Sequence, residues 1–204
     1  MIDKRDVFQE LVSTRRSIRS FTDQPVGEDV LGRLLRVACD APSAHNRQPW
    51  RFVVLQDVKL RQRLIEAMSQ SFRTDLERDG LSSTEIERQV ARGRDRILGA
   101  SAVVLLFVTM EDMDHYPDGI RQAAERAMAI QSVALAGGHL LLAAHAEGLG
   151  ACWVCSPLFA PEIVRQTLEL PESWEAQGMI VLGHPAEDGR DRQRKSLQEV
   201  ALWR

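Results

Sequence analysis

Cysteine is scarce here: three thiols, Cys39, Cys152 and Cys155, in a chain of 204 residues. An odd count over this length excludes the stapled framework of small secreted proteins and predicts reduced thiols. Cys152 and Cys155 have C-x-x-C spacing, but a redox pair of that kind sits at a helix N-terminus. These two fall in a strand-like run, where residues three apart point to opposite faces. Zinc would need two further good ligands, and Cys39 with five scattered histidines does not supply them. His139 and His145, roughly 120° apart around a helix, form no chelating pair. The acidic loop at 111–118 lacks the oxygen spacing and closing glutamate of a calcium site. No metal is expected.

A surplus of positive charge is also missing. Lysine and arginine total 26 against 29 acidic residues, for a net charge of −3, so there is no global basic field for nucleic acid. No apolar run is clean enough for a membrane span, because Glu125, Arg126, Gln131, His139 and His145 interrupt the longest one. Positions 1–9 are mixed and charged, with no apolar segment leading to a cleavage site, so a cytoplasmic location is expected. Gly148 and Gly150 are not followed by the third glycine of a dinucleotide fingerprint, and they close a helix instead of opening one. There is no Walker A loop and no serine in a G-x-S-x-G elbow.

What remains is ordinary globular material, 44% hydrophobic and 27% charged, with length for one domain over residues 1–204. Its organising stretch is a helix expected over about 120–147, apolar nearly all round and therefore buried nearly all round. At about 1.5 Å per residue it is longer than one small domain needs to cover, so part of its surface is expected to meet a second subunit. Glycines at 148 and 150 stop it, and residues 151–155 read as a short buried strand. Other strands are expected at 51–55, 102–109 and 178–183, and helices at 6–13, 28–40, 58–78 and 161–168. The 58–78 stretch should bury Leu60, Leu64, Ile65, Met68, Phe72 and Leu76. Ser82 and Glu85 offer a capping box to a further helix reaching about Leu98. The charge-rich region at about 59–98 reads as a solvated excursion, because acids and bases alternate along it. The end at 197–203 is apolar again, which predicts packing on this subunit or a partner. Helices alternate with about four strands, giving α+β or mixed α/β in three layers.

Two polar segments stand out. Arg15-Arg16-Ser17-Ile18-Arg19 puts three guanidiniums and a hydroxyl together; on composition this is either a solvated helix end or an anion site. Pro42-Ser43-Ala44-His45-Asn46-Arg47-Gln48-Pro49-Trp50 is either a surface connection or a ligand-holding loop. With phosphate- and amide-type binding groups and no protein nucleophile, the chain has the profile of an enzyme whose chemistry belongs to a cofactor.

Taken in order with Gly148-Leu149-Gly150-Ala151-Cys152-Trp153 and Leu182-Gly183-His184-Pro185 plus a basic tail, these segments resemble the signatures of the FMN-dependent nitroreductase family over nearly the whole chain. The resemblance implies an α+β, three-layer α/β/α fold with a mixed, mainly antiparallel sheet and a long central dimer helix. It also implies a homodimer with FMN at the interface. Carried over by position, Arg15, Arg16, Ser17 and Arg19 would hold the FMN phosphate, ribityl chain and pyrimidine edge, joined by Arg192, Arg194 or Lys195. Pro42, Ser43, Ala44, Asn46 and Gln48 would come from the partner subunit, and Val154, Cys155 and Ser156 would lie near flavin N5. The implied activity is ping-pong hydride transfer from NAD(P)H or a reduced deazaflavin to an electron-poor acceptor: a nitro compound, quinone or enoyl-type substrate.

Two departures matter: Cys155-Ser156 stands where well-known bacterial nitroreductases have Glu-Gly, and the charged insertion is longer. That insertion, His115-Tyr116-Pro117-Asp118 and residues 148–159 are similar to the flavin-binding C-terminal domain of the actinobacterial deazaflavin-coenzyme biosynthesis enzymes. The alternative implied is a dehydro-deazaflavin reductase. A non-catalytic flavin-binding protein is the reading from another class. Cys155 is the only titratable side chain at the strand end, and a buried thiol is usually inert packing.

Overall fold

The computed structural model describes residues 3–204; positions 1 and 2 of the expected domain lie outside the described residues. In chain order these form α1 (Lys4–Thr14), α2 (Glu28–Cys39), β1 (Trp50–Leu55), α3 (Val58–Arg78), α4 (Ser83–Leu98) and β2 (Ala102–Val108). Then come α5 (Gly119–Ala146), β3 (Gly150–Val154), α6 (Pro161–Thr167), β4 (Glu175–Gly183) and α7 (Leu197–Val200). Four helices start where a side chain takes up a free backbone N–H: Asp3 accepts from Arg5, Asp57 from Lys59 and Leu60, Ser82 from Glu85, and Asp118 from Arg121. Each such cap is worth about 1 kcal/mol. Only half of the capping box expected at Ser82 is made, because the Glu85 carboxylate turns to Arg88 and Gln89 instead.

The sheet has the order β1-β2-β4-β3, and all three strand pairs are antiparallel. Among the described residues, parallel pairing is confined to an isolated bridge between Ser17 and Ala151. Every residue of β2 is buried, as its unbroken apolar run requires of a strand covered on both faces. Val104 and Leu106 face one core with Ile180, Leu182, the α2 residues Leu31 and Leu34, and Val133, Ala136 and Leu140 of α5. Val103, Leu105 and Phe107 face the other with Met179, Val181, Leu64 and Ile65 of α3, and Val164 of α6. The layers are therefore α2 and α5, sheet, and α3, α4 and α6.

Trp153 fixes how closely α5 approaches the sheet. Its indole fills the space over two glycines: a Cβ built on Gly137 would stand 2.1 Å from Cζ3, and one on Gly178 2.8 Å from Cζ2. No side chain fits at either position without moving the ring.

Four expectations need correction. The 59–98 region is not a solvated excursion: Leu64, Ile65, Met68 and Ile97 pack in the second core against β2 and β4. In the single chain, α5 is buried along one face only; Ile120, Ala123, Ala124, Ala127, Ala134 and Leu135 form an exposed stripe at helical spacing. By length and composition this helix could cross a membrane, yet its buried face packs on the sheet. Phe72, expected inside α3, is 40% exposed, because it borders a cavity instead of the core. Cys155, expected in a buried strand, lies past the end of β3 and is exposed. The apolar C-terminus is uncovered as well: Leu197, Val200, Leu202 and Trp203 are all exposed, as are Val7, Phe8 and Val12 on α1.

Candidate functional site

The arginine run begins where α1 ends. Arg15 leaves the helix with extended backbone, and Ile18 N–H donates to the Ala151 carbonyl at 3.1 Å. The chain is thereby laid along the start of β3. Ile18 is buried against Gly150, where a Cβ would come within 2.6 Å of it. This contact makes Gly150 a glycine for space and not for φ, and it pins the segment between Arg16 and Arg19. The tail returns across the same place. Arg16 Nη2 donates to Asp191 Oδ1 at 2.9 Å and Nη1 to the Ser13 carbonyl at 2.5 Å, so Arg16 is partly committed to holding the tail. Arg15 and Arg19 have no carboxylate within salt-bridge distance among the described residues.

A cavity of about 810 Å³ opens here, within the range of small-molecule sites. Arg15, Arg16, Ser17 and Arg19 form one wall, and Arg190, Arg192 and Arg194 of the tail another. The third wall comes from α4, with Arg88, Arg92 and Arg96. A smaller cavity of about 330 Å³ lies between the α3–α4 hairpin and the exit of β3. It is lined by Met68, Phe72, Val90 and Ile97 on one side and by Val154, Cys155 and Ser156 on the other. Arg96 lines both.

Among the described residues, two buried polar atoms of cavity-lining side chains have no partner: Arg96 Nε and Ser156 Oγ. An orphan of this kind costs about 1–3 kcal/mol of desolvation. Burial disfavours the charged form of Arg96, and the neighbouring guanidiniums of Arg19 and Arg92 add to it, with Cys152 opposing. The site thus holds concentrated, incompletely neutralised positive charge. His145 feels the same field. Its pKa is lowered from the ordinary 6.5 by burial and then by Arg15 and Arg16.

The loop at 42–48 is elsewhere. Pro42, Ser43, Ala44, Asn46 and Gln48 line neither cavity. Ala44 N–H donates to Ser132 Oγ of α5 at 3.2 Å, and Gln48 N–H to Ser43 Oγ at 3.0 Å. His45, Asn46 and Gln48 hold φ of 52°, 55° and 50° without being glycine. Such conformations cost about 1–3 kcal/mol each and cluster at functional sites. Lys195 lies outside both cavities; Val154 ends β3, and with Cys155 and Ser156 it lines the smaller cavity.

Sequence reasoning missed Arg88, Arg92, Arg96 and Arg190. For Arg88, Arg92 and Arg96 the signal was present, since positions spaced by four share a helix face, but it was hidden among the alternating charges of the 59–98 region; Arg190 stands in the tail, where no periodicity marks it.

This geometry is that of a three-layer α+β domain with an arginine-lined cavity. The chain belongs to the nitroreductase family, whose model matches residues 12–184. It is 32% identical over 215 residues to a protein named NADH dehydrogenase from Thermus thermophilus, covering 93% of this chain and 92% of that protein. A BluB-like flavoprotein from Clostridium difficile 630 has a similar fold, with TM-score 0.82 and 23% identity over 96% of this chain and 98% of its own. A protein assigned as a nitroreductase from Desulfovibrio desulfuricans, solved in complex with FMN, gives TM-score 0.72 and 26% identity over 96% and 95%.

Proposed function

We propose that this chain is an FMN-dependent oxidoreductase. The observation that carries the reading is that an arginine-walled cavity and an apolar one share Arg96 as a lining residue, and the apolar one is lined by Ser156, whose Oγ is buried and unpartnered. A molecule with a phosphate for the Arg15–Arg19 wall at one end and a flat heterocycle that accepts from Ser156 Oγ at the other suits these cavities, and FMN is such a molecule. When bound, it supplies hydride exchange between NAD(P)H or a reduced deazaflavin and an electron-poor acceptor such as a nitro compound, quinone or enoyl-type substrate.

The residues divide the remaining work. Arg15 and Arg19, with Arg190, Arg192 or Arg194, take the phosphate through charge-assisted hydrogen bonds, and Ser17 takes the ribityl chain. Arg16 holds the tail in place through Asp191. Ser156 donates its unused hydroxyl to the heterocycle, and the backbone from Val154 to Ser156 stands along it, where an N–H stabilises developing negative charge. Phe72, Met68 and Val90 exclude water from one side.

Loop 42–48 belongs to the site of the partner subunit in a homodimer, which accounts for strained residues that line neither cavity of their own chain. The exposed α5 stripe and the uncovered α1 and C-terminal apolar residues supply the interface. The protein acts on small molecules, with a cytoplasmic location, and the reading includes no nucleic acid, membrane or metal partner.

Dehydro-deazaflavin reduction is the second reading, favoured by the insertion: α3 and α4 wall the site instead of standing off in solvent. Purified protein should be yellow and release FMN, not FAD, on denaturation. A colourless protein that takes up no FMN sinks the proposal. If FMN is held without turnover, the protein is a flavin-binding protein and not an enzyme. Stopped-flow hydride acceptance by nitroaromatics, quinones and dehydro-deazaflavin then ranks the acceptors; a rate about a hundredfold higher for the last selects the second reading.

A further inference from the structure

The proposed FMN reading, on which this inference rests, uses only part of the positive charge in the cavity. A phosphate monoester brings about two negative charges at neutral pH. Nine arginines line the cavity, against Asp95, Glu187 and Asp188. The surplus sits on α4, outside the segments that carry the family resemblance.

Arg88, Arg92 and Arg96 are spaced by four, so they stack on one face of α4. Like charges at that spacing destabilise a helix by about 0.2–0.5 kcal/mol per pair. Helix stability therefore does not explain the row. Its members also differ in how they are held. Arg88 is gripped by Glu85 through Nε and Nη2, at 2.9 and 2.6 Å. Among the described residues, neither Arg92 nor Arg96 has a carboxylate within salt-bridge distance, and Arg96 Nε is buried without an acceptor. An anion between Arg92 and Arg96 would supply that acceptor and relieve the repulsion among Arg19, Arg92 and Arg96.

We propose that Arg92 and Arg96 form a second oxyanion subsite, which holds a phosphate carried by the redox ligand that exchanges hydride with the flavin. Because Arg96 also borders the apolar cavity at Val154, Cys155 and Ser156, a ligand anchored there keeps its uncharged end within reach of the flavin position. Arg88, fixed by Glu85, contributes standing positive charge. The subsite makes α4 the element that selects phosphate-bearing donors or acceptors over their phosphate-free counterparts.

The test uses FMN-loaded protein, titrated calorimetrically with inorganic pyrophosphate, with 2′,5′-ADP against adenosine, and with a phosphodiester-bearing deazaflavin against the same ring without its side chain. The last two pairs separate a nicotinamide dinucleotide from a deazaflavin as the source of the phosphate. Wild type should bind at least one phosphate-bearing probe tighter than its counterpart. Losing a charge-assisted hydrogen bond predicts that Arg92→Gln and Arg96→Gln weaken that probe by about tenfold or more, with FMN affinity by fluorescence within about threefold of wild type. Arg92 is exposed on the helix surface, so its replacement should leave the fold intact by circular dichroism, and it alone decides the matter if the Arg96 variant fails to fold. FMN affinity falling in parallel with probe affinity would overturn the proposal, making α4 part of the FMN phosphate site. So would a wild type indifferent to phosphate on every probe. A protein that takes up no FMN overturns both readings, and its lack of colour shows it before any probe is added.

Discussion

Thr14 Oγ1 and His145 Nε2 stand 2.9 Å apart, joining the last residue of α1 to the last turn of α5 immediately before the arginine run. Burial, then Arg15 and Arg16, hold the His145 pKa below its ordinary 6.5. A histidine depressed in the fold binds fewer protons there than in the unfolded chain, so stability rises with pH across that window. Its penalty is absent above about pH 6.5 and grows as pH falls below that value toward the folded pKa. Melting temperature should therefore drop between pH 7 and 5, and His145→Gln should flatten the drop. A phosphate at Arg15 removes part of the repulsion and raises the His145 pKa. The phosphate of FMN itself titrates near pH 6 and sheds protons on meeting the arginines, so the His145 share is read by difference: in calorimetry at pH 6 in buffers of different ionisation enthalpy, wild type should release fewer protons on FMN binding than His145→Gln. Equal proton release by the two would contradict this account.

Replacing Gly137 tests the closeness of α5 and the sheet. An added methyl group meets Trp153 Cζ3 at 2.1 Å and Leu106 Cδ2 at 3.0 Å, and overpacking of this kind costs about 1–3 kcal/mol. At about 2–4 °C per kcal/mol for a chain of this size, Gly137→Ala should melt several degrees lower. Gly93→Ala is the control. It lies within α4 with nothing inside 4 Å of the added atom, and should gain up to about 1 kcal/mol from helix propensity. Equal melting points for the two variants would show that Trp153 does not set the spacing.

Dimerisation should fail when the α5 stripe is broken. Ala127 is exposed in the single chain between Ala123 and Ala134, and the small residues there let a second helix approach closely. Ala127→Arg should give a monomer in light scattering at micromolar concentration and should lose FMN with it, since the proposed site takes loop 42–48 from a second subunit. Truncation of 197–204 should weaken the dimer if the exposed tail crosses over. A folded, FMN-binding monomer of the wild type would remove the basis for both expectations.

Much of this was readable from the chain, for identifiable reasons. Ser82 marks a helix start chemically, and the run in β2 is too apolar for anything but a central strand. The cluster at 15–19 is compact in sequence and stays compact in space. By contrast, the face formed by Arg88, Arg92 and Arg96 acquires meaning only when α3 and α4 fold back over the exit of β3. Charge alternation along the sequence does not say which side of a helix looks at a cavity. Phe72 was misread for a related reason, since a cavity wall and a core wall ask for the same residue. The left-handed backbone at His45, Asn46 and Gln48 had no glycine to announce it.

Ser156 gives the sharpest test of the cofactor position, because its hydroxyl should act with opposite sign in the two states of the protein. Without a ligand, Oγ is buried and unpartnered, so Ser156→Ala removes a desolvated polar atom and should leave stability unchanged or slightly higher. With FMN present, the same change removes a donor to the heterocycle. At about 0.5–1.5 kcal/mol for a neutral hydrogen bond, FMN affinity should fall by roughly two- to tenfold. Arg15→Ala, which removes a charge-assisted contact worth about 1.5–3 kcal/mol, should cost roughly ten- to a hundredfold. Cys155→Ser separates neighbour from participant. The thiol is exposed and is assigned no proton to move, so this variant should keep most of its turnover. A loss beyond about a hundredfold, or roughly 2.7 kcal/mol of transition-state stabilisation, would make Cys155 a catalytic residue. If Ser156→Ala instead destabilises the ligand-free protein and leaves FMN affinity untouched, the hydroxyl serves the fold and the heterocycle does not lie at the exit of β3.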